Sequence, residues 1–315
     1  MLRKLLALVG LFALFALIPA AQAPAAEPFT VAFAGDIVCS PNQSDYLGGN
    51  PKTCQFRLTD DLLASVDYVM PLGDLQYSTG SLTHFNQAYD PTWGQYASKT
   101  YPTPGNHEYQ SSSTAAGYFN YWASKGRPPG AVGQLYYSFD FGNWHFISIN
   151  TSDSVNGCGN DVNCAEGSAQ NDWLEADLAA VPASKGIVML SHSPFWNSGV
   201  SHGAESVANL TPMVADAEAA RLDLLISSHE HNYQRYREQT LNGVYSATGW
   251  RQFVVGTGGR SHNGLLSAKD PGYKFGNATD FGVLKLTFTD TGYTYEFVNT
   301  AGTVVDSGGP IFINN

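Results

Sequence analysis

Side chains that could bind a metal stand just behind the short apolar runs of this chain. Gly35-Asp36 follows Phe29–Ala34, and Gly73-Asp74-Leu75-Gln76-Tyr77 follows Tyr68–Leu72. Gly105-Asn106-His107-Glu108 follows Tyr101-Pro102-Thr103-Pro104, His192 follows Val188-Met189-Leu190-Ser191, and His229-Glu230-His231 comes shortly after Leu222–Ser227. Carboxylate oxygens are hard donors and imidazole nitrogens borderline ones, a mixture that suits a divalent or trivalent metal in an open site. Six or seven such ligands exceed one tetrahedral set, and a bridging carboxylate can hold two ions about 3.5–4 Å apart, so two metals are expected. Gly-Asp by itself is an ordinary turn; it is the ordered series of motifs that points to chemistry.

Such residues need elements that end together. β-rich runs recur at Phe29–Ala34, Tyr68–Leu72, Tyr137–Asn150, Gly186–Leu190, Leu222–Ser227, Gln252–Val255 and Phe281–Phe288, most ending in Gly, Asn, Asp, Ser or His. Helices are expected at Thr59–Ser65, around Thr83–Tyr96, at Ala169–Val181 with Trp173, Leu174, Leu178 and Val181 on one face, and at Glu205–Ala220. The alternation predicts an α/β fold, in which ligands gather beyond the C-terminal ends of the strands. After Arg251, turn signals such as Asp290-Thr291-Gly292 and Asn299-Thr300-Ala301-Gly302 predict an antiparallel meander. No proline-rich linker, repeat or charge run divides residues 27–315, which read as one domain.

The order Gly-Asp, Gly-Asp-x-x-Tyr, Gly-Asn-His-Glu, His and x-His-x-His, running from Phe29 to Gly259, closely resembles the calcineurin-like metallophosphoesterases. Tyr77 narrows the resemblance to the purple acid phosphatases. The resemblance implies an αββα sandwich of two mixed β-sheets flanked by helices, with a dinuclear metal site at the C-terminal ends of the strands. It also implies that Asp36, Tyr77 and His231 hold one metal, that Asn106, His192 and His229 hold the other, and that Asp74 bridges them. The ions implied are Fe(III) and a divalent ion, Zn, Fe or Mn. His107 would act as general acid toward the departing alkoxide, and Glu108 would support the ligands. His202, ten residues after His192, matches the spacing of a phosphate-binding histidine. The activity implied is hydrolysis of small phosphate monoesters by metal-activated water at acid to neutral pH. A phosphodiesterase or nucleotide-cleaving enzyme on the same metals is the alternative, and a metal-stabilised secreted binding protein without turnover is the third reading. Two departures stand out. Ser227-Ser228 precede His229 where the family commonly has glycine, and no histidine lies two residues after Asp36, a place that Tyr77 fills with a phenolate donor. His145 is read as a satisfied strand residue, while His84 and His262 receive no role.

The 315 residues carry 16 Lys and Arg against 27 Asp and Glu, a formal charge of −11, which disfavours a nucleic-acid-binding surface. No Gly-x-Ser-x-Gly is present to support a serine hydrolase. Arg3-Lys4, the apolar run Leu5–Ile18 and the small residues through Ala26 read as a signal peptide over residues 1–26, implying secretion to an extracellular or periplasmic space without a membrane anchor. In that oxidising setting Cys39, Cys54, Cys158 and Cys164 read as disulfides in one of three pairings, the local one closing two short loops. Thiolate zinc lacks the expected C-x-x-C pair. Sequons stand at Asn42, Asn150, Asn209 and Asn277.

Overall fold

The structure is a computed structural model that describes residues 27–48, 50–151, 158, 162–202 and 207–314; the expected signal peptide lies outside them. Among the described residues twelve strands form two sheets. The first contains β1 (Phe29–Ala34), β2 (Tyr68–Pro71), β10 (Gly282–Thr289), β11 (Gly292–Asn299) and β12 (Val304–Phe312), in the order β12-β11-β10-β1-β2. The second contains β3 (Tyr137–Phe141), β4 (Trp144–Ser148), β5 (Gly186–Leu190), β6 (Leu224–Ser227), β7 (Tyr233–Tyr236), β8 (Arg251–Val255) and β9 (Tyr273–Asn277), in the order β3-β4-β5-β6-β8-β7-β9. Both are mixed: β1 and β2 run parallel, as do β4, β5, β6 and β8, while the remaining neighbours pair antiparallel.

The central strands are apolar on both faces because both are covered. On β5, Val188 and Leu190 join the core between the sheets, while Ile187 and Met189 face a second core under the helices. β6 and β8 divide in the same way, with Leu224, Ile226, Phe253 and Val255 on one side and Leu225 and Val254 on the other. The helices Ala169–Ala180 and Val207–Ala219 cover that second face through Leu174, Leu178, Leu210, Met213, Val214 and Ala217. Ser168 caps the first of them by accepting the Asn171 N–H at 3.2 Å, and Asn171 Nδ2 donates to Asp216 Oδ2 at 2.6 Å, tying the two helices together. Beside the first sheet, Phe85, Tyr89, Trp93, Tyr118, Tyr121 and Trp122 pack as an aromatic layer.

The elements depart from the sequence reading at identifiable places. Tyr137–Asn150 is a hairpin, not one strand, because Gly142, at φ 52°, turns the chain between β3 and β4. The stretch Thr83–Tyr96 contains Pro91 and breaks into short pieces, Leu82–His84, Phe85–Tyr89 and Trp93–Lys99. The meander is β10 to β12, whereas β8 belongs to the other sheet and runs parallel to β6. The disulfides are Cys39–Cys54 and Cys158–Cys164, the local pairing. Asn150 is buried, and its side chain donates to the Tyr109 hydroxyl at 2.7 Å and the Gln134 carbonyl at 2.9 Å, so its sequon is closed to a glycan in the folded state. Among the described residues no helix is long and apolar enough to cross a membrane.

Candidate metal centre

Parallel strands deliver the motifs to one end of the sandwich. Asp36 follows β1, Asp74 follows β2, His192 follows β5, and His229 and His231 follow β6. The loops there are unusually constrained: Asp36, Asp74, His229 and His231 all have positive φ, at 58°, 51°, 68° and 22°. For residues with a Cβ this costs on the order of 1 kcal/mol each, a strain that the surrounding packing must hold in place. The missing glycine before His229 is thereby explained, since His229 itself adopts the left-handed conformation that turns the chain. Two glycines are required by close approach. A Cβ on Gly73 would stand 2.5 Å from His192 Nδ1, and one on Gly105 would stand 2.1 Å from the Asp74 backbone nitrogen.

All seven expected ligands meet. The Tyr77 hydroxyl lies 2.9 Å from Asp36 Oδ1, 2.8 Å from Asp74 Oδ2 and 3.0 Å from His231 Nε2. His192 Nε2 lies 3.0 Å from both Asn106 Oδ1 and His229 Nδ1 and 3.4 Å from Asp74 Oδ1. Donor atoms of Asp74, His192 and His229 fall within 4.8 Å of one another, with all three residues buried. Asp74 faces both halves of the set: Tyr77 through Oδ2, and His192 through Oδ1.

Neighbouring groups aim these atoms. His192 Nδ1 faces the Leu72 carbonyl at 2.9 Å and the Ser228 hydroxyl at 3.0 Å, leaving Nε2 for the centre. His231 Nδ1 faces the Ser261 hydroxyl at 2.8 Å, and the His229 N–H donates to Asp36 Oδ2 at 2.8 Å. Glu108 is fully buried, and its carboxylate accepts the N–H groups of Asp74, Leu75, Gln76 and Gly105 at 2.6–3.3 Å, fixing the loop that carries Asp74. The sequence assigned no role to Ser228, Glu230 or Ser261. Glu230 accepts the N–H groups of Ser201 at 3.1 Å and His202 at 2.8 Å, holding the loop that brings His202 over the centre. The His202 ring stacks on His229 at 3.9 Å.

The electrostatics of these side chains depend on one another. Burial, followed by the charges of Asp36 and Asp74, pushes the Tyr77 phenol well above its ordinary range. Burial opposes protonation of His192, but the Asp74 charge prevails and raises it to about 9; His229 is driven well below normal by burial and by His192. Two buried carboxylates, a phenol, an amide and three imidazoles thus converge with no lysine or arginine among them. Cations satisfy such a donor set, and its mixture of oxygen and nitrogen fits two of them. Above the ligands, Asp74, Tyr77, Ser78, Asn106, His107, Ser201, His202, His229, His231, Arg260, Ser261 and Asn263 line an open cleft of about 320 Å³. His107 Nδ1 faces the Ser78 carbonyl at 2.5 Å, its Nε2 stands 3.7 Å from Asp74 Oδ2, and its ring packs on Tyr77 at 4.2 Å.

Relatives share this architecture. Purple acid phosphatase 22 of Arabidopsis thaliana is 27% identical over 258 residues, which is 71% of this chain and 57% of that protein. A nucleotide pyrophosphatase/phosphodiesterase of Hordeum vulgare is 26% identical over 293 residues, covering 84% of this chain and 76% of its own length. The purple acid phosphatase PPD1 from yellow lupin (Lupinus luteus) seeds superposes with a TM-score of 0.68 at 20% identity, over 89% of this chain and 53% of that one. The chain thus spans about half the length of the purple acid phosphatases it matches. Residues 29–233, from β1 to the start of β7, match the calcineurin-like phosphoesterase family as a whole, and with the fold and ordered motifs in agreement the chain belongs to that family.

Proposed function

We propose that residues 27–315 form a secreted, dinuclear-metal phosphoesterase that hydrolyses small phosphate monoesters at acid to neutral pH. The observation that carries this reading is the meeting of Asp36, Asp74, Tyr77, Asn106, His192, His229 and His231 beneath an open cleft that His107 and His202 also line. Asp36, Tyr77 and His231 would hold a trivalent iron, Asn106, His192 and His229 a divalent zinc, iron or manganese, with Asp74 shared. When bound, the two cations neutralise phosphate charge and acidify an attacking water.

The protein's own groups supply the rest. His202, held by Glu230, presents its ring beside His229, where a phosphate oxygen would lie. His107 keeps its Nδ1 on the Ser78 carbonyl, so the proton it can give is the one at Nε2, on the cleft side. As the new phosphorus–oxygen bond forms and the ester bond breaks, that proton passes to the departing alkoxide. Secretion is supported by the signal-like residues 1–26 and by two disulfides.

Cleavage of phosphodiesters or nucleotides is the second reading. It is favoured by the Hordeum vulgare relative, which matches over more of its own length than the phosphatases do. Purified protein loaded with iron and zinc, assayed on p-nitrophenyl phosphate and on its bis-ester, separates the two. Faster turnover of the monoester is expected; preference for the bis-ester would transfer the assignment to the second reading. Metal binding with neither activity would leave a binding protein.

A further inference from the structure

One group in the cleft belongs to none of the motifs. Arg260 is the only lysine or arginine lining it among the described residues. Its guanidinium lies 5.1 Å from the centre of the Tyr77 ring, the ring that also packs on His107. Among the described residues the guanidinium has no hydrogen-bond acceptor and no carboxylate at ion-pair distance. Asp45, held low mainly by the Thr53 hydroxyl, feels its charge only as the weakest of several influences. Its backbone, by contrast, is pinned on both sides. The Arg260 N–H donates to the Asp36 carbonyl at 2.9 Å, the Arg260 carbonyl accepts from the Cys54 N–H at 3.3 Å, and Thr53 bridges to Ser261. Cys54 is itself bonded to Cys39 on the segment that leaves Asp36.

A guanidinium on pinned backbone, with idle donors, lining the cleft above the expected metal ligands is a fork for anionic oxygens. The two ester classes differ there. A phosphate monoester is a dianion above its second ionisation, near pH 6, and keeps an anionic oxygen that a diester has blocked with a second organic group. We infer that Arg260 is a positioning residue that binds this additional oxygen and so biases the site toward dianionic phosphate monoesters and inorganic phosphate. The inference deepens the monoesterase reading proposed above and rests on it for the location of the phosphate.

The test uses the metal-loaded protein with Arg260→Gln and Arg260→Lys. Arg260→Gln is expected to lower kcat/KM on p-nitrophenyl phosphate by roughly tenfold to a hundredfold and to weaken inorganic phosphate binding, read by calorimetry, by about tenfold or more. It should change the bis-ester rate by less than about threefold and leave two metals bound. Arg260→Lys should restore part of the loss. The gap between wild type and Arg260→Gln on the monoester should narrow below about pH 6, as the substrate loses its second charge. Equal losses on both esters, unchanged phosphate affinity, an absence of phosphate binding to the wild type, or loss of metal in Arg260→Gln would each overturn the inference. Arginine-dependent phosphate binding without turnover of either ester would instead sink the hydrolase reading and leave the anion fork standing.

Discussion

Two groups of histidines in this molecule stand among acidic side chains, and they differ in what balances the charge. His145, on β4, has Nδ1 2.7 Å from Asp140 and Nε2 2.8 Å from Asp177; Lys185 reaches Asp140 at 2.6 Å, and Ser138 donates to Asp177 at 2.6 Å. With both ring nitrogens donating, the imidazole carries its proton, and although burial opposes it the two aspartates lift its pKa. The cluster balances its own charge on β3, β4, the helix Ala169–Ala180 and the turn before β5, none of its residues at positive φ. Around His192 and His229 the acidic groups are more deeply buried, ring nitrogens face each other at 3.0 Å, and among the described residues no lysine or arginine stands at ion-pair distance from Asp36 or Asp74. The backbone at Asp36, Asp74, His229 and His231 is held in the left-handed region. A charge cluster closed by the protein is structure; one left open, on strained backbone, is a place for ions from outside.

The sharpest way to break this contrast is Asp74→Ala. As the shared carboxylate, its loss should release both ions and reduce turnover by about a thousandfold or more; two metals per chain remaining by elemental analysis would refute its bridging role. Chelation of the wild type should lower Tm, by an amount equivalent to about 4 kcal/mol at metal concentrations a thousandfold above Kd. The same chelator should leave the stability contribution of the His145 cluster intact, which calorimetry on His145→Gln with and without metal would reveal. Ser228→Ala removes a hydroxyl that faces His192 Nδ1 and should weaken metal affinity by roughly tenfold to a hundredfold, with little change in the fold by circular dichroism. Tyr77→Phe should abolish any violet absorption while the protein stays folded; an active, colourless wild type holding only zinc would remove iron from the account but leave the esterase.

The smallest effect on turnover belongs to His145→Gln, expected to alter kcat/KM by less than about twofold while costing about 1–3 kcal/mol of stability. Its pH dependence has a definite sign. The raised pKa of folded His145 stabilises fully below the unfolded value near 6.5 and is lost as pH rises through the folded value. Asp140 is held below its ordinary range by Lys185 and His145 against the opposing effect of burial, so its contribution is present above about pH 4 and lost as pH falls through the folded value. The stability gap between wild type and His145→Gln should therefore be widest from about pH 4 to 6.5; a gap that grew at pH 9 would contradict the paired imidazolium.

Legibility in the sequence followed physical cause. β1 and β5 were readable to the residue because both are short, largely apolar runs, β5 buried throughout and β1 from Val31 on, and each stops at a small residue, Gly35 or Ser191. The residues expected as ligands do converge, and that expectation drew on chemistry's constraint of residue type and order. β7 was not, since its Arg235 looks solvent-facing until it meets Asp306 at 2.7 Å, 71 residues away. The helix Ala116–Ser124 was hidden by Gly117 and four aromatic residues, poor helix formers that tertiary packing rescues through Tyr118, Tyr121 and Trp122. Ser228, Glu230, Ser261 and Arg260 escaped because what they do is set by where the fold brings them, and no local spacing encodes that.

Anomalous scattering from a crystal of the purified protein supplied with iron and zinc measures the central claim directly. Two peaks about 3.5–4 Å apart, both within bonding distance of Asp74 and divided between Asp36–Tyr77–His231 and Asn106–His192–His229, are predicted. A lone peak, or peaks seated on other residues, would contradict it.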